Sequence, residues 1–139
     1  VDFINSQRAD GGGDYPEALH SALQKAIEEQ DWQGQARARL LFLILDAPPH
    51  HEVDVIDAVK EQLQLAAEKG IRIIPVSASG IDRETEFLMR ILAIASNGTY
   101  TFITDHSGIG NEHLEPTVGE YEVEFLNDLI VRLVNEYVE

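Results

Sequence analysis

Three stretches of the chain carry residues whose types and spacing could do chemistry. The first is Gly11-Gly12-Gly13-Asp14-Tyr15-Pro16-Glu17. Three glycines open backbone conformations closed to other residues, and two carboxylates stand just ahead of a helix-periodic run. Such acids suit a hard cation, which takes oxygen ligands. They equally suit a helix start, where a cap and a first-turn acid meet the positive end of the macrodipole. The second is Asp46-Ala47-Pro48-Pro49-His50-His51. Asp46 closes the apolar run 40–45. An acid at the carboxyl end of a buried parallel strand lies at the mouth of the sheet, where ligands bind. Desolvated on one side, it needs a cation, a donor or a proton. His50 and His51 could ligate a metal; adjacent histidines also cap a following helix or face water, and nothing nearby has metal-ligand spacing. The third stretch contains Asp105, His106 and Ser107 within residues 104–113. It is either an accessory ligand or partner contact, or a Gly-rich connector turned by Asp and Asn.

The elements that must position these groups follow from apolar periodicity. Residues 1–9 could form a short helix carrying Phe3 and Ile4. Pro16 suits a helix's first turn, and Ala18, Leu19, Ala22, Leu23, Ala26 and Ile27 continue at helical spacing to about Gln30. Residues 40–45 read as a strand buried on both faces, in the middle of a parallel sheet. A helix over 52–69 follows, with Val53, Ile56, Val59, Leu63 and Ala66 on one face and Gly70 at its C′ position. Residues 71–76 form the next strand, with Pro75 at its end or at a bulge. Asp82 caps a helix to about Ser96, with Phe87, Leu88, Ile91, Leu92 and Ala95 inward; Asn97-Gly98 closes it. Residues 99–104 are a third strand, which puts Asp105, His106 and Ser107 on the same rim as Asp46. The final helix covers roughly 120–138. Trp32 is expected to pack as a lid over the first long helix's end.

Strands alternating with helices imply right-handed crossovers and an α/β fold with a doubly wound, mostly parallel sheet in three α-β-α layers. Only three strands are visible, and the most apolar comes first. A strand buried on both faces wants neighbours on both edges. The pattern therefore predicts further strands, ahead of Val1 or from another chain, and so assigns residues 1–139 to the carboxyl-terminal portion of a single domain.

Composition bounds the function. The 139 residues are 44% hydrophobic and 25% charged, ordinary for a globular domain with its own core. The net charge of −15 repels phosphates, so nucleic acid and anionic membrane surfaces are poor partners; it is compatible with divalent cations or with solubility alone. No cysteine is present, which excludes disulfides, thiolate metal sites and cysteine nucleophiles. No apolar run is long enough to be inserted across a membrane.

The triple-glycine loop ending Asp14-Tyr15-Pro16-Glu17-Ala18, the helix after it and the apolar strand ending Asp46-Ala47-Pro48-Pro49-His50 together resemble the von Willebrand factor A (VWA) domain. The closest likeness is to its bacterial and alpha-kinase-linked members; Asp14 to Glu17 is also similar to the matching loop of integrin beta-subunit I-like domains. The element order matches the family from its second helix to its last. The resemblance implies a metal-ion-dependent adhesion site (MIDAS) holding Mg²⁺, or Mn²⁺ or Ca²⁺, with oxygen ligands from three loops. Glu17 matches the second-loop Glu of integrin beta-subunits, Asp14 an acid of their neighbouring metal site, and Asp46 the third-loop Asp, which often reaches the metal through water. The family's usual Thr position falls near Gly13, and the first-loop Asp-x-Ser-x-Ser motif does not occur in this sequence. Two carboxylates are too few for tight Mg²⁺ binding, so weak or no binding is expected from this chain as given.

The implied function is non-enzymatic: a binding module whose metal takes an acidic group from a protein partner at the carboxyl-end rim, with Asp105, His106, Ser107 and His50 as candidate partner contacts. The resemblance favours an extracytoplasmic or cell-surface setting. A second reading is a metal-dependent hydrolase using Asp46 with His50; against it, the sequence has no phosphate-cradling Lys motif, no Gly-x-Ser-x-Gly elbow and no convincing acid–base pair. A third is a functionally silent half-domain held as a homo-oligomer through an exposed sheet edge.

Overall fold

In a computed structural model the described residues are 2–8, 13, 15–78, 81–104 and 121–139. They form α1 (Asp2–Ser6), α2 (Leu19–Glu28), β1 (Arg39–Leu45), α3 (Val53–Glu68), β2 (Ile71–Ser77), α4 (Arg83–Ala95), β3 (Thr101–Phe102) and α5 (Leu126–Val138). The alternation read from the sequence is present. The three strands make one parallel sheet in the order β1-β2-β3, with Arg39 opposite Ile71 and Leu45 opposite Ser77.

The core lies on the face of the sheet that carries Ile71 and Ile73. There Leu19, Leu23 and Ile27 of α2, Val59 and Ala66 of α3 and Met89 and Leu92 of α4 pack into one cluster with Leu45. Each of these larger side chains contributes about 2 kcal/mol by leaving water. Successive strand residues face opposite ways, so Arg72 points to the other face, and its guanidinium stacks 4.7 Å from the Tyr137 ring of α5.

Among the described residues β1 has only β2 as a strand neighbour, its side chains are mostly half-buried, and Ile44 is 63% exposed. β2 lies between β1 and β3, and its Ile71, Ile73, Ile74 and Val76 are at most 2% exposed. One expectation about the strands needs correction: Pro75 is not at a strand end or a bulge, since it pairs in register with Leu43 inside β2. β3 joins the ladder only at Val76 and Ser77. The Pro75 carbonyl accepts from Thr101 Oγ1 at 2.9 Å on that side. A residue's amide and carbonyl share one strand edge, so the missing N–H falls where no ladder bond is made.

The helix faces also differ from the periodic reading. In α4 the buried residues are Thr85, Glu86, Met89, Leu92 and Ala93, while Phe87 is 66% exposed. Val53 and Ile56 at the start of α3 are exposed, and Leu133 alone is buried in α5, which begins at Leu126 rather than near 120. Other signals read as expected. Asp82 Oδ1 accepts from the Thr85 amide at 2.7 Å, Gly70 has φ 65° after α3, and Asn97 has φ 55° after α4. Trp32 Nε1 donates to Ala26 O at 2.8 Å and packs against the core at the end of α2.

Four of the ten lysines and arginines have a common use. Lys69 Nζ donates to Ile27 O in the last turn of α2, and Arg39 Nη1 to Lys69 O at the end of α3. Arg72 Nη1 donates to Asn97 O just past α4, and Arg37 Nη1 to Val138 O of α5. Each places positive charge at the negative end of a helix dipole. The amino end of the sheet is therefore held by basic side chains, and the carboxyl end keeps its acids.

Candidate functional site

The carboxyl end of β1 is where the candidate site is built. β1 ends at Leu45, Asp46 follows at once, and the chain then turns through Ala47-Pro48-Pro49. Proline cannot continue the ladder as a donor, yet its carbonyl can accept. The Glu17 amide donates to Pro48 O at 2.8 Å, and Glu17 forms an isolated parallel bridge with Pro49. The Glu17 loop and the Asp46 loop therefore lie side by side on one rim.

The reading of Glu17 as a first-turn helix acid needs correction. α2 starts at Leu19, with Ala18 at the N-cap position and no side-chain cap hydrogen bond. Pro16 is outside the helix rather than in its first turn, and Glu17 is not a first-turn acid. Its backbone belongs to the rim.

The Asp46 side chain is exposed, with no strand among the described residues on the outer side of β1. The Glu17 side chain is exposed as well. His50 is half-buried, with Nδ1 3.7 Å from Glu52 Oε2 at the start of α3. Asp14, Asp105, His106 and Ser107 lie outside the described residues.

The donor chemistry on the rim fits a hard cation: two carboxylates on adjacent loops, both open to solvent. The number of donors does not complete a site. Six oxygens are needed for Mg²⁺, and among the described residues no three acidic or histidine side chains gather closely enough to hold a metal.

A second polar group, missed by the sequence reading, is buried in α4. Glu86 is buried in α4, with Oε1 3.0 Å from Arg90 Nη2 one turn on. No N–H of Nη2 is aligned on an acceptor, so the attraction is that of two charges rather than a directed hydrogen bond. The Arg90 guanidinium lies 5.4 Å from the centre of the Tyr100 ring. Burial pushes the Tyr100 hydroxyl above its ordinary pKa; the nearby Ser77 hydroxyl works against this, and the Glu86 charge adds to it. The signal was present in the sequence, because Thr85 and Glu86 share helical spacing with the buried Met89 and Ala93. An acid at such a position reads as surface unless its partner at i+4 is considered.

Asp82, capping α4, has its carboxyl held below the usual range chiefly by Thr85, whose amide donates to it, with His51 adding a smaller attraction. No described helix is long and apolar enough to cross a membrane. Compared with known protein families and with curated proteins, the chain matches no family model and no curated sequence.

Proposed function

We propose that this chain is the later part of a VWA-type domain, doubly wound in three layers, that serves as a protein-binding module rather than an enzyme. Its rim holds part of a MIDAS-like site. Glu17 and Asp46 supply carboxylates to a divalent cation, directly or through water, and Asp14 supports them. The remaining ligands come from an Asp-x-Ser-x-Ser loop outside this sequence. The metal's open position takes an acidic group of a protein partner, with Asp105, His106, Ser107 and His50 nearby as further contacts. Neither nucleic acid nor a membrane interior is a partner.

The observation that carries this reading is the bond from the Glu17 amide to Pro48 O. It brings together the two loops that a shared cation would require, at the carboxyl end of a parallel strand, where such sites form. The test is a calorimetric titration of the chain with Mg²⁺ and Mn²⁺, alone and as Glu17→Gln and Asp46→Ala. Weak binding that either substitution removes is the expected result. Low-micromolar affinity, or residual binding indifferent to both substitutions, would refute it.

A further inference from the structure

Asn97-Gly98 is the single Asn-Gly step in the chain, and it closes α4. Asn97 N donates to Ile94 O at 3.2 Å and Gly98 N to Ala93 O at 2.8 Å, the paired bonds of a helix that ends on a left-handed residue. Asn97 supplies that residue at φ 55°. Arg72 Nη1 reaches across from β2 and donates to Asn97 O at 3.1 Å. Gly98 lies hard against the same strand, where a Cβ built on it would sit 1.9 Å from Ile73 O. The Asn97 side chain is exposed to water.

An exposed asparagine ahead of a glycine is chemically labile. With no side chain on Gly98 to obstruct the approach, its amide nitrogen can attack Asn97 Cγ. The N–H proton passes to solvent, the N–Cγ bond forms, the Cγ–Nδ2 bond breaks, and Nδ2 leaves as ammonia. Water then opens the succinimide at either carbonyl and gives aspartate or isoaspartate, with no change in oxidation state. The closed turn withholds this nitrogen, because its N–H is committed to Ala93 O. Gly98 N and Asn97 O also share one peptide plane. Turning the nitrogen toward Cγ therefore swings the oxygen away from Arg72 and lifts Gly98 off Ile73. We propose that Asn97 is a deamidation site gated by the α4 cap, silent while the cap is closed and reactive when it opens. The gate works one way. Either product adds a negative charge at the negative end of α4, and isoaspartate also lengthens the main chain by a methylene beside a glycine with no slack. Modification thus loosens the link between α4 and β3, which begins at Thr101. The inference rests on this turn alone and does not depend on the metal reading.

Peptide mapping by mass spectrometry tests it. Acid formation at Asn97 is followed in the 139-residue chain, native and in urea, against a synthetic peptide of residues 95–100 in the same buffers. In urea the chain should react as fast as the peptide. Under native conditions it should react at least about tenfold more slowly, since only the opened fraction is competent. Arg72→Gln removes one bond that holds the turn and should raise the native rate about threefold, the weight of one hydrogen bond, with circular dichroism unchanged. Arg37→Gln frees the end of α5 instead and should leave the rate alone. A native rate less than about tenfold below that of the peptide overturns the proposal, as does a chain in urea that stays as slow as the native one. No acceleration by Arg72→Gln overturns it too, and so does equal acceleration by Arg37→Gln, because global unfolding rather than the cap would then be the gate.

Discussion

The Glu17 amide donates to Pro48 O at 2.8 Å, so two loops separated by a helix and a strand share one backbone bond. The bond has a local cause. Pro48 and Pro49 stop β1 without offering a donor, and their carbonyls are left for a neighbour to use. Glu17 bridges Pro49 and lies outside α2, which begins at Leu19. Position on the rim is thereby fixed by main chain, while the carboxylates of Glu17 and Asp46 stay exposed. Their chemistry and the fold's stability should then be separable.

Glu17→Gln and Asp46→Asn test that separation. Both side chains are exposed and neither makes a described hydrogen bond that would be lost. Each variant should keep its urea stability within about 0.5 kcal/mol of the parent, while its affinity for Mn²⁺ falls. A stability loss above about 2 kcal/mol would mean that these acids serve the fold, since such losses come from a short list of structural causes.

Gly98 should tolerate nothing larger. A Cβ built there would sit 1.9 Å from Ile73 O and 2.8 Å from its carbonyl carbon, both main-chain atoms of the central strand. Gly98 N also donates to Ala93 O at 2.8 Å, which holds the turn closed. Gly98→Ala should cost about 3 kcal/mol, the upper range for overpacking against atoms that cannot rotate away. Asn97→Gly is the control. Asn97 already has φ 55°, a region glycine enters freely, so its denaturation midpoint should stay level or rise slightly.

These two turns show what could be read from the chain and what could not. Asn97-Gly98, Gly70 and the Asp82 cap were legible because each satisfies its own neighbourhood within a few residues. The register of Pro75 inside β2 was not, since a proline reads as a strand end when the edge its missing N–H would face is unknown. The inward face of α4 was lost for a related reason: Glu86 is buried together with Arg90 one turn on, whose guanidinium lies beside the Tyr100 ring. On the rim, the acids Glu17 and Asp46 could be picked out by type, but the bridge through Pro48 and Pro49 depends on tertiary pairing that spacing does not encode.

The Asp82 cap predicts an acid limb. Its carboxyl is held low chiefly by Thr85, whose amide donates to Asp82 Oδ1, so the folded state binds this proton less readily than the unfolded chain does. The cap's contribution is therefore present above the unfolded value near 3.8 and is lost as pH falls through the lower folded value. Asp82→Ala should cost about 1 kcal/mol near neutral pH and flatten the stability profile below about pH 4. Asp82→Asn should retain most of the cap and flatten the profile equally. Urea midpoints measured from neutral to acidic pH for the three proteins check this, and a profile for Asp82→Asn that still follows the parent would assign the limb to other acids.

The pairing buried in α4 predicts the opposite limb. Arg90 stands between the buried Glu86 and the Tyr100 ring. Arg90→Met keeps the bulk of the stem and removes the charge, which leaves the Glu86 carboxylate without its cation in a dry setting. The expected loss is about 3 kcal/mol. Glu86→Gln in the same background should recover part of it, because the amide needs no counter-charge. Tyr100 supplies the pH signature. Burial raises its hydroxyl above the ordinary value of 10.0, so the fold favours the neutral phenol. That contribution is intact below pH 10.0 and is lost as pH rises through the higher folded value. Tyr100→Phe should therefore fall less steeply than the parent above about pH 10. If Arg90→Met costs under about 1 kcal/mol, the value of an exposed pair, then Glu86 is held by other contacts and the guanidinium is incidental to it.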